Sequence, residues 1–377
     1  MHRVLAMLFV SAVGCGRPVA ASSVAASPAA LSSAPPSVAP LAQAAAPPRS
    51  EATSQAAASA DVYVGAVGGL AVRAMLSRTR SGLEGRWFYE QKGNLEGLVL
   101  HGVTEPQDRS YELTEALSTG EITGKILLHE EGSTLRGEWT TPTGARTLPV
   151  TLSPEIRARE GDNVVRAKRI MVKYAGPPAL IAAGFLPVID GPAARQMTPN
   201  LTLQKLAGDD EKTLDGCCTT NVAFEVLHHD SRVVTIATAV STLGAYPSSH
   251  GSTLSLRWAT GARVGAEIFR PERKRELVRL LNARVHDAWR AKKRELSKGP
   301  TDTTSCGPDV IDAFMTGDGP SFVEAMLSSV YVHAKGIAFA FDFGFPHVVH
   351  ACSPVVELEL SWVDADPYLG TTGAPLH

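Results

Sequence analysis

The sequence predicts an α+β protein: an all-β antiparallel meander that closes into a barrel-like sheet, then an α+β region with an antiparallel sheet and one long helix. Three observations carry this prediction. Short segments of alternating apolar and polar residues recur in residues 61–154, mixed strand and helix patterns span residues 163–370, and an amphipathic period runs through residues 272–296. A period of two is typical of half-buried strands, whereas spacings of three and four are typical of helices.

The chain begins with a segment typical of an export signal. Arg3 precedes an apolar run that is too short to span a bilayer and ends at Cys15. The four residues ending at Cys15 resemble the lipobox of bacterial lipoproteins, although Ala12 stands where that pattern usually has leucine. We expect residues 1–15 to be a signal peptide and Cys15 to anchor an exported protein by lipid to a bacterial membrane. The alternative is ordinary cleavage after a small residue, without a lipid.

Residues 16–60 have the composition of a tether. They are mostly Ala, Pro and Ser, with almost no large apolar side chains to bury. Such a segment cannot offset the entropy lost on ordering, so we expect it to be disordered.

The charge balance of the chain restricts its partners. Its 377 residues include 36 Lys plus Arg and 38 Asp plus Glu, a formal net charge of −2, and no long basic block. This argues against nucleic acid as a partner. No apolar run long enough for a transmembrane helix follows the leader, so we expect membrane contact through the lipid alone.

Four cysteines remain besides Cys15, an even number in a chain expected to be exported. Disulfides are therefore plausible, and we prefer the pair Cys306 and Cys352. A bridge between the adjacent residues Cys217 and Cys218 would be strained, although such bridges exist. A zinc site is the rival use of these cysteines, but the CxxC pairs typical of structural zinc sites are missing.

The meander is predicted from seven alternating segments separated by turn residues such as Lys92-Gly93-Asn94 and Glu131-Gly132-Ser133. Seven or eight strands joined by hairpins favour a closed barrel, because closure removes exposed sheet edges. The apolar positions of the segments are Leu70, Val72, Ala74 and Leu76; Leu83, Trp87 and Tyr89; Leu95, Val99 and Val103; Tyr111, Leu113 and Leu117; Ile122, Ile126 and Leu128; Leu135 and Trp139; and Leu148, Val150 and Leu152.

Two Gly-x-Trp segments occur in the meander, one ending at Trp87 and the other at Trp139. They resemble the Gly-x-Trp of lipocalins, which would imply small-molecule carriage. The alternative is that each glycine lets an aromatic ring pack over bare backbone.

In the second half, strand patterns are predicted at residues 164–174, 180–188, 222–227, 233–240 and 253–258, and a helical stretch at residues 193–206. The long helix follows Pro271, and its apolar residues recur at spacings of three and four. These are Leu277, Leu280, Leu281, Val285, Ala288 and Trp289.

Residues 163–370 resemble the extracellular C-terminal domain of RsiV-type anti-sigma factors, which also accompanies some peptidoglycan deacetylases. The resemblance implies an envelope-facing sensing or binding module, and one branch of the family is similar to a lysozyme receptor. Its motifs are hairpin and packing residues, so neither signalling nor deacetylation is implied. The segments that carry it are residues 185–189, 243–247 with His250, 254–257, 259–264 leading to 268–269, 336–341, 345–347 and 355–362.

Candidate catalytic or metal-binding side chains are scattered histidines and aspartates. Among them, Asp342 with His347 could form an acid–base pair, and His347 and His350 lie beside Cys352. No HExxH, GxSxG or phosphate-binding glycine motif is present, so we expect no catalytic site, metal or cofactor. The other candidates are His228, His229, Asp230, His250, His286 and His333.

Together these patterns favour a non-catalytic cell-envelope lipoprotein that binds a protein, peptidoglycan or another cell-wall ligand. One alternative is a lipid or small-molecule carrier that uses the N-terminal barrel. A further alternative is an unrecognised hydrolase.

Overall fold

The computed structural model describes residues 58–79, 82–92, 97–105, 109–174, 180–207, 219–243, 248–296, 319–345 and 355–373, with residues 315, 353 and 376. Several predicted features lie outside the described residues. These are Cys15, the tether up to residue 57, Cys217, Cys218, Cys306, Cys352, His347, His350 and the turn at residues 244–247.

The first part of the described chain is a barrel of eight strands. They are β1 (Ala58–Val67), β2 (Leu70–Thr79), β3 (Gly82–Tyr89), β4 (Leu98–Glu105), β5 (Ser110–Ala116), β6 (Ile122–Glu131), β7 (Thr134–Thr140) and β8 (Thr147–Pro154). Each strand pairs with the next in antiparallel fashion, and β8 returns to pair with β1. The predicted barrel-like meander is confirmed. The predicted segments start at Leu70, however, and omit β1, the strand that closes the barrel.

Alternation fills the barrel interior with apolar side chains. Buried residues from all eight strands, including Leu76, Leu100 and Leu152, form one core. The prediction of which residues face the barrel interior is wrong in two strands. Leu100 is buried in place of Val99, because the run Leu98-Val99-Leu100 is apolar throughout and its alternation does not specify a face. Ile122 is 51% exposed, because the register between β5 and β6 shifts beside Ala116.

A second sheet branches from β1. Its strands are β9 (Ile156–Glu160), β10 (Asn163–Tyr174), β11 (Leu180–Asp190), β12 (Thr219–His229), β13 (Val233–Leu243) and β14 (Ser248–Arg257). The first residues of β1, 58–61, pair with β10, so the barrel and the second sheet share hydrogen-bonded strands. The predicted antiparallel sheet is wrong at one pair, since β11 and β12 are parallel. The connection from Asp190 to Thr219 is long enough for the crossover that parallel strands require.

The helical stretch predicted at residues 193–206 is interrupted. It contains α1 (Ala194–Met197), a 3-10 turn (Thr198–Asn200) and α2 (Leu203–Ala207). Pro199 lies in the 3-10 turn, where its missing N–H prevents a continuous helix.

The C-terminal part combines a three-stranded sheet with the long helix. The strands are β15 (Val330–His333), β16 (Gly336–Asp342) and β17 (Val355–Ser361), and the helices are α3 (Lys274–Leu296) and the short α4 (Trp362–Ala365). A 3-10 turn at Pro271–Arg273 precedes α3, and the predicted helix is confirmed. Its buried stripe shares a core with Ile337 and Phe339 of β16; the stripe consists of Leu277, Leu281, Val285 and Trp289.

The two smaller sheets meet through buried hydroxyl groups. Thr235 Oγ1 donates to the Val332 carbonyl at 2.6 Å, and Ser255 Oγ accepts from the Val332 N–H at 2.8 Å. Side chains of β13 and β14 therefore form hydrogen bonds with the main-chain carbonyl and N–H of Val332 on β15. Across the parts of the chain that are described, no helix combines the length and hydrophobicity needed to cross a membrane.

Candidate ligand site at the mouth of the barrel

A cavity of about 520 Å³ lies at one end of the barrel, which we call the mouth. At this end β3, β5 and β7 finish, and β4, β6 and β8 begin. The volume is within the range of small-molecule pockets. The lining combines apolar, aromatic and polar side chains: Leu70, Leu98, Leu117 and Leu148; Trp87, Phe88, Tyr89 and Trp139; and Glu115, Thr123 and Arg146.

The barrel core forms the floor of this cavity. Leu100, Leu113 and Ile126 occupy the next inward positions of β4, β5 and β6, and each is at least 98% buried. They fill the middle of the barrel, so the cavity is confined to the mouth.

Glu115 is the polar centre of the site. It follows Tyr111 and Leu113 at the inward positions of β5 and is only 2% exposed. One carboxylate oxygen accepts from Trp87 Nε1 at 2.7 Å, and the other accepts from Thr123 Oγ1 at 2.6 Å. A buried carboxylate is thus held between two neutral donors.

Two other glutamates of low exposure have cationic partners. Glu155, which is also buried, lies 3.4 Å from Arg73 and 2.8 Å from Arg157. Glu130 lies 2.7 Å from Arg78. Glu115 has no ion-pair partner among the residues whose positions the structure describes, and it stands apart from the others in that respect.

Four aromatic rings line the cavity, those of Trp87, Phe88, Tyr89 and Trp139. Trp87 is fully buried, and its ring meets the Tyr89 ring edge-on with centroids 5.9 Å apart. Burial, and then the negative charge of Glu115, raise the pKa of the Tyr89 phenol, so Tyr89 is neutral. Trp139 Nε1 is buried without an acceptor in the described part of the chain.

The backbone makes room for Trp139 at Gly124. A Cβ atom at Gly124 would lie 2.1 Å from Trp139 Nε1, so only glycine admits the ring in this position. The glycines of the two Gly-x-Trp segments serve another purpose. The space beside Gly85 and Gly137 is filled by main-chain oxygens of the neighbouring strands, those of Met75 and Leu127. These two glycines allow close strand approach, and the ring over bare backbone is found at Gly124.

Sequence reasoning missed Glu115, although a signal was present. The predicted apolar set on β5 contains Tyr111, Leu113 and Leu117, and Glu115 occupies the one position between them with the same parity. A carboxylate at an inward position of an alternating strand indicates a buried charge, and such groups often mark functional sites.

The predicted histidine and aspartate candidates that the structure describes lie on separate elements, apart from the sequence neighbours His228, His229 and Asp230. His228 and His229 lie on β12, His250 on β14, His286 on α3 and His333 at the end of β15. His228 Nε2 is 3.6 Å from Asp230 Oδ2. In the regions that the structure describes, no three His, Cys, Asp or Glu side chains form a group that could hold a metal ion.

Asp230 and Asp342 instead organise turns. Burial alone would raise the pKa of Asp230, but hydrogen bonds from the main chain and guanidinium of Arg232 and from the Val233 N–H lower it. Asp342 accepts from the Gly344 N–H at 2.8 Å and from Ser353 Oγ. Both carboxylates are engaged in local hydrogen bonds typical of Asx turns.

Comparisons with known proteins give a structural similarity only. No family model matches the sequence, and no curated protein is similar to it. The structure is similar to that of a DUF3298 family protein from Pseudomonas aeruginosa PAO1, with a TM-score of 0.36 and 11% identity, over 56% of this chain and 96% of the other. A DUF3298 protein from Bacteroides fragilis NCTC 9343 gives a TM-score of 0.33 and 15% identity, over 56% and 95% of the two chains. These neighbours are bacterial, and nothing on function follows from the similarity.

Proposed function

We propose that this chain is a non-catalytic binding protein of the bacterial cell envelope whose barrel holds a small ligand in its mouth. The main support for this proposal is the cavity of about 520 Å³ at one end of an otherwise filled barrel. This favours the small-molecule carrier, an alternative in the sequence interpretation, over a barrel that only supports a protein-binding surface.

The lining of the cavity supports the proposal. Ligand pockets are mostly apolar, with a few polar groups that orient the ligand. Here four leucines and four aromatic rings provide apolar contact, while Glu115 and Thr123 provide the polar groups. Closed barrels also hold a mouth rigidly, because every strand is hydrogen-bonded on both sides.

Dye binding tests the proposal. The neutral dye phenylnaphthylamine, which fluoresces when it leaves water, should bind the wild-type protein. In the variant Leu148→Trp a larger side chain occupies the cavity, so affinity should fall about tenfold or more, since apolar contact with the dye is lost. The matched control is Leu127→Trp, an exposed position on β6, which should bind as the wild type does. Equal binding by all three proteins would contradict a site in the mouth.

We also propose that Cys15 anchors the protein by lipid to a bacterial membrane, on the periplasmic side or at the outer membrane. The apolar leader that ends at Cys15 supports this. Radiolabelled palmitate should label the wild-type protein and not Cys15→Ser. Persistent labelling of the variant would contradict lipidation at Cys15.

For the second half, we propose an RsiV-like extracellular domain that contacts a protein or the cell wall. Its support is the order of elements around the resembling motifs: β14, the turn at Gly261 and then α3. The protein should then be retained by purified sacculi or by immobilised lysozyme. Recovery of all the protein in the unbound fraction with both would count against this role.

A further inference from the structure

We propose that the ligand of the mouth is an organic cation with an apolar body, such as an alkylammonium compound, whose positive group contacts the Glu115 carboxylate. This inference rests on the proposed function, since it assigns a ligand class to the same cavity. It follows from the charge left unpaired at Glu115 and from the rings around it.

The first argument is the missing counter-charge. An ionised carboxylate removed from water is strongly destabilised unless it is paired as well as hydrogen-bonded. Trp87 and Thr123 supply two neutral hydrogen bonds to Glu115, whereas a carboxylate has about four acceptor positions. Elsewhere the molecule pairs glutamates of low exposure with arginine, as at Glu155 and Glu130. A cationic ligand would supply at Glu115 the positive charge that arginine supplies at those positions.

The second argument is the chemistry of the walls. Aromatic faces attract cations, most strongly when water is excluded, and rings around a carboxylate are well suited to an ammonium group. Trp87, Tyr89 and Trp139 all line the cavity with Glu115.

The remaining charged residue of the lining does not oppose this assignment. Arg146 lies at the start of the strand segment that leads into β8 and is exposed to solvent. Water and salt screen an exposed charge, whereas Glu115 is at the buried end of the cavity. The four leucines leave apolar surface for the body of the ligand.

Three probes with an eight-carbon chain test the head group: octyltrimethylammonium, octanol and octanoate, each measured by displacement of phenylnaphthylamine from the full-length protein. The cation should bind about tenfold more tightly than the alcohol, and octanoate most weakly, since a desolvated cation–carboxylate contact is worth at least a tenfold change in affinity. This ranking requires no variant and therefore no assumption about folding.

Two variants on the same strand assign the preference to Glu115. In Glu115→Gln the side-chain amide can still accept from Trp87 and donate to Thr123, so the cation should lose its advantage over octanol. Glu112→Gln removes the same charge from the outward face of β5 and should keep the wild-type preference.

The outcomes separate the inference from the proposed function. If octanol and octyltrimethylammonium bind the wild type equally, or if Glu115→Gln keeps the preference, the assignment of a cation to Glu115 is overturned while the cavity remains a ligand site. If neither the dye nor any octyl compound binds, the proposed function fails and the inference fails with it.

Discussion

Each end of the barrel carries an inward glutamate, and the two glutamates have different partners. At the end opposite the mouth, which we call the closed end, Glu130 accepts from Tyr111 OH at 2.5 Å and pairs with Arg78 at 2.7 Å. At the mouth, Glu115 accepts from the neutral groups of Trp87 and Thr123, and it has no ion-pair partner among the described residues.

This difference gives the two ends of one barrel different charge. Both glutamates are inward positions of neighbouring strands, β5 and β6, and the leucine-rich core lies between them. Glu130 is paired with Arg78, whereas aromatic rings line the cavity around Glu115. The contrast predicts different responses to mutation at the two ends.

The largest effect is expected for Trp87→Ala, which tests whether the mouth is part of the barrel core. Trp87 is fully buried and also donates to Glu115, so the variant should lose about 3–5 kcal/mol of unfolding free energy, as large-to-small core substitutions do. Denaturant unfolding measures it. Leu127→Ala, on the outward face of β6, is the control and should have a small effect. A loss below about 1 kcal/mol at Trp87 would mean that the mouth is not integrated with the core.

At the closed end, Arg78→Met should leave Glu130 without its cation. The Glu130 side chain is 12% exposed, and we expect a loss of about 1–3 kcal/mol, the range for a polar group left unsatisfied. The control Arg136→Met breaks an ion pair with Glu131 in which both side chains are more than half exposed, and this should change stability by about 0.5 kcal/mol or less. Equal losses in the two variants would remove the contrast between a closed end with a structural ion pair and a mouth without one.

The barrel could be predicted from the sequence because its strands alternate regularly and its turns contain glycine. Tyr111 and Leu113 or Leu148, Val150 and Leu152 indicate both the strand and its inward face. Closure could not be located, because β1 pairs with β8 far along the chain and no local pattern marks that pairing. Likewise, the parallel pairing of β11 with β12 depends on a crossover, not on the composition of either strand.

The candidate site was less accessible to sequence reasoning than the fold. Glu115 breaks an apolar alternation, which is a visible signal, but its neighbours in space are not its neighbours in sequence. Trp87 is on β3 and Thr123 on β6, and they meet Glu115 only once the strands are in register. Whether a buried acid is paired depends on such tertiary contacts.

A smaller loss of stability is expected for Thr123→Val, which tests the hydrogen bond to Glu115 at the mouth. The substitution keeps the shape of the side chain and removes the donor to Glu115, so stability should fall by about 1 kcal/mol. In the presence of octyltrimethylammonium the difference from wild type should shrink, because the bound cation stabilises the carboxylate and binding stabilises the folded state. An unchanged difference at saturating cation would mean that Thr123 and the ligand act on separate groups.

The smallest effect appears only in alkaline solution, and it probes the closed end. Burial, and then the hydrogen bond to Glu130, raise the pKa of Tyr111 from about 10 to about 12. Above pH 10 the unfolded chain therefore releases a proton that the folded protein retains. The unfolded state then binds fewer protons, so the free energy of unfolding falls as pH rises from about 10 to about 12.

Tyr111→Phe removes this contribution, and its stability should decline less steeply than that of the wild type over the same pH interval. Phenolate absorbance should show the loss of one tyrosine that ionises near pH 12. Identical slopes in the two proteins would show that Glu130 does not hold the Tyr111 proton. The stabilising contact of Glu130 would then be its ion pair with Arg78 alone. The closed end would differ from the mouth only in having that arginine as a partner of its glutamate.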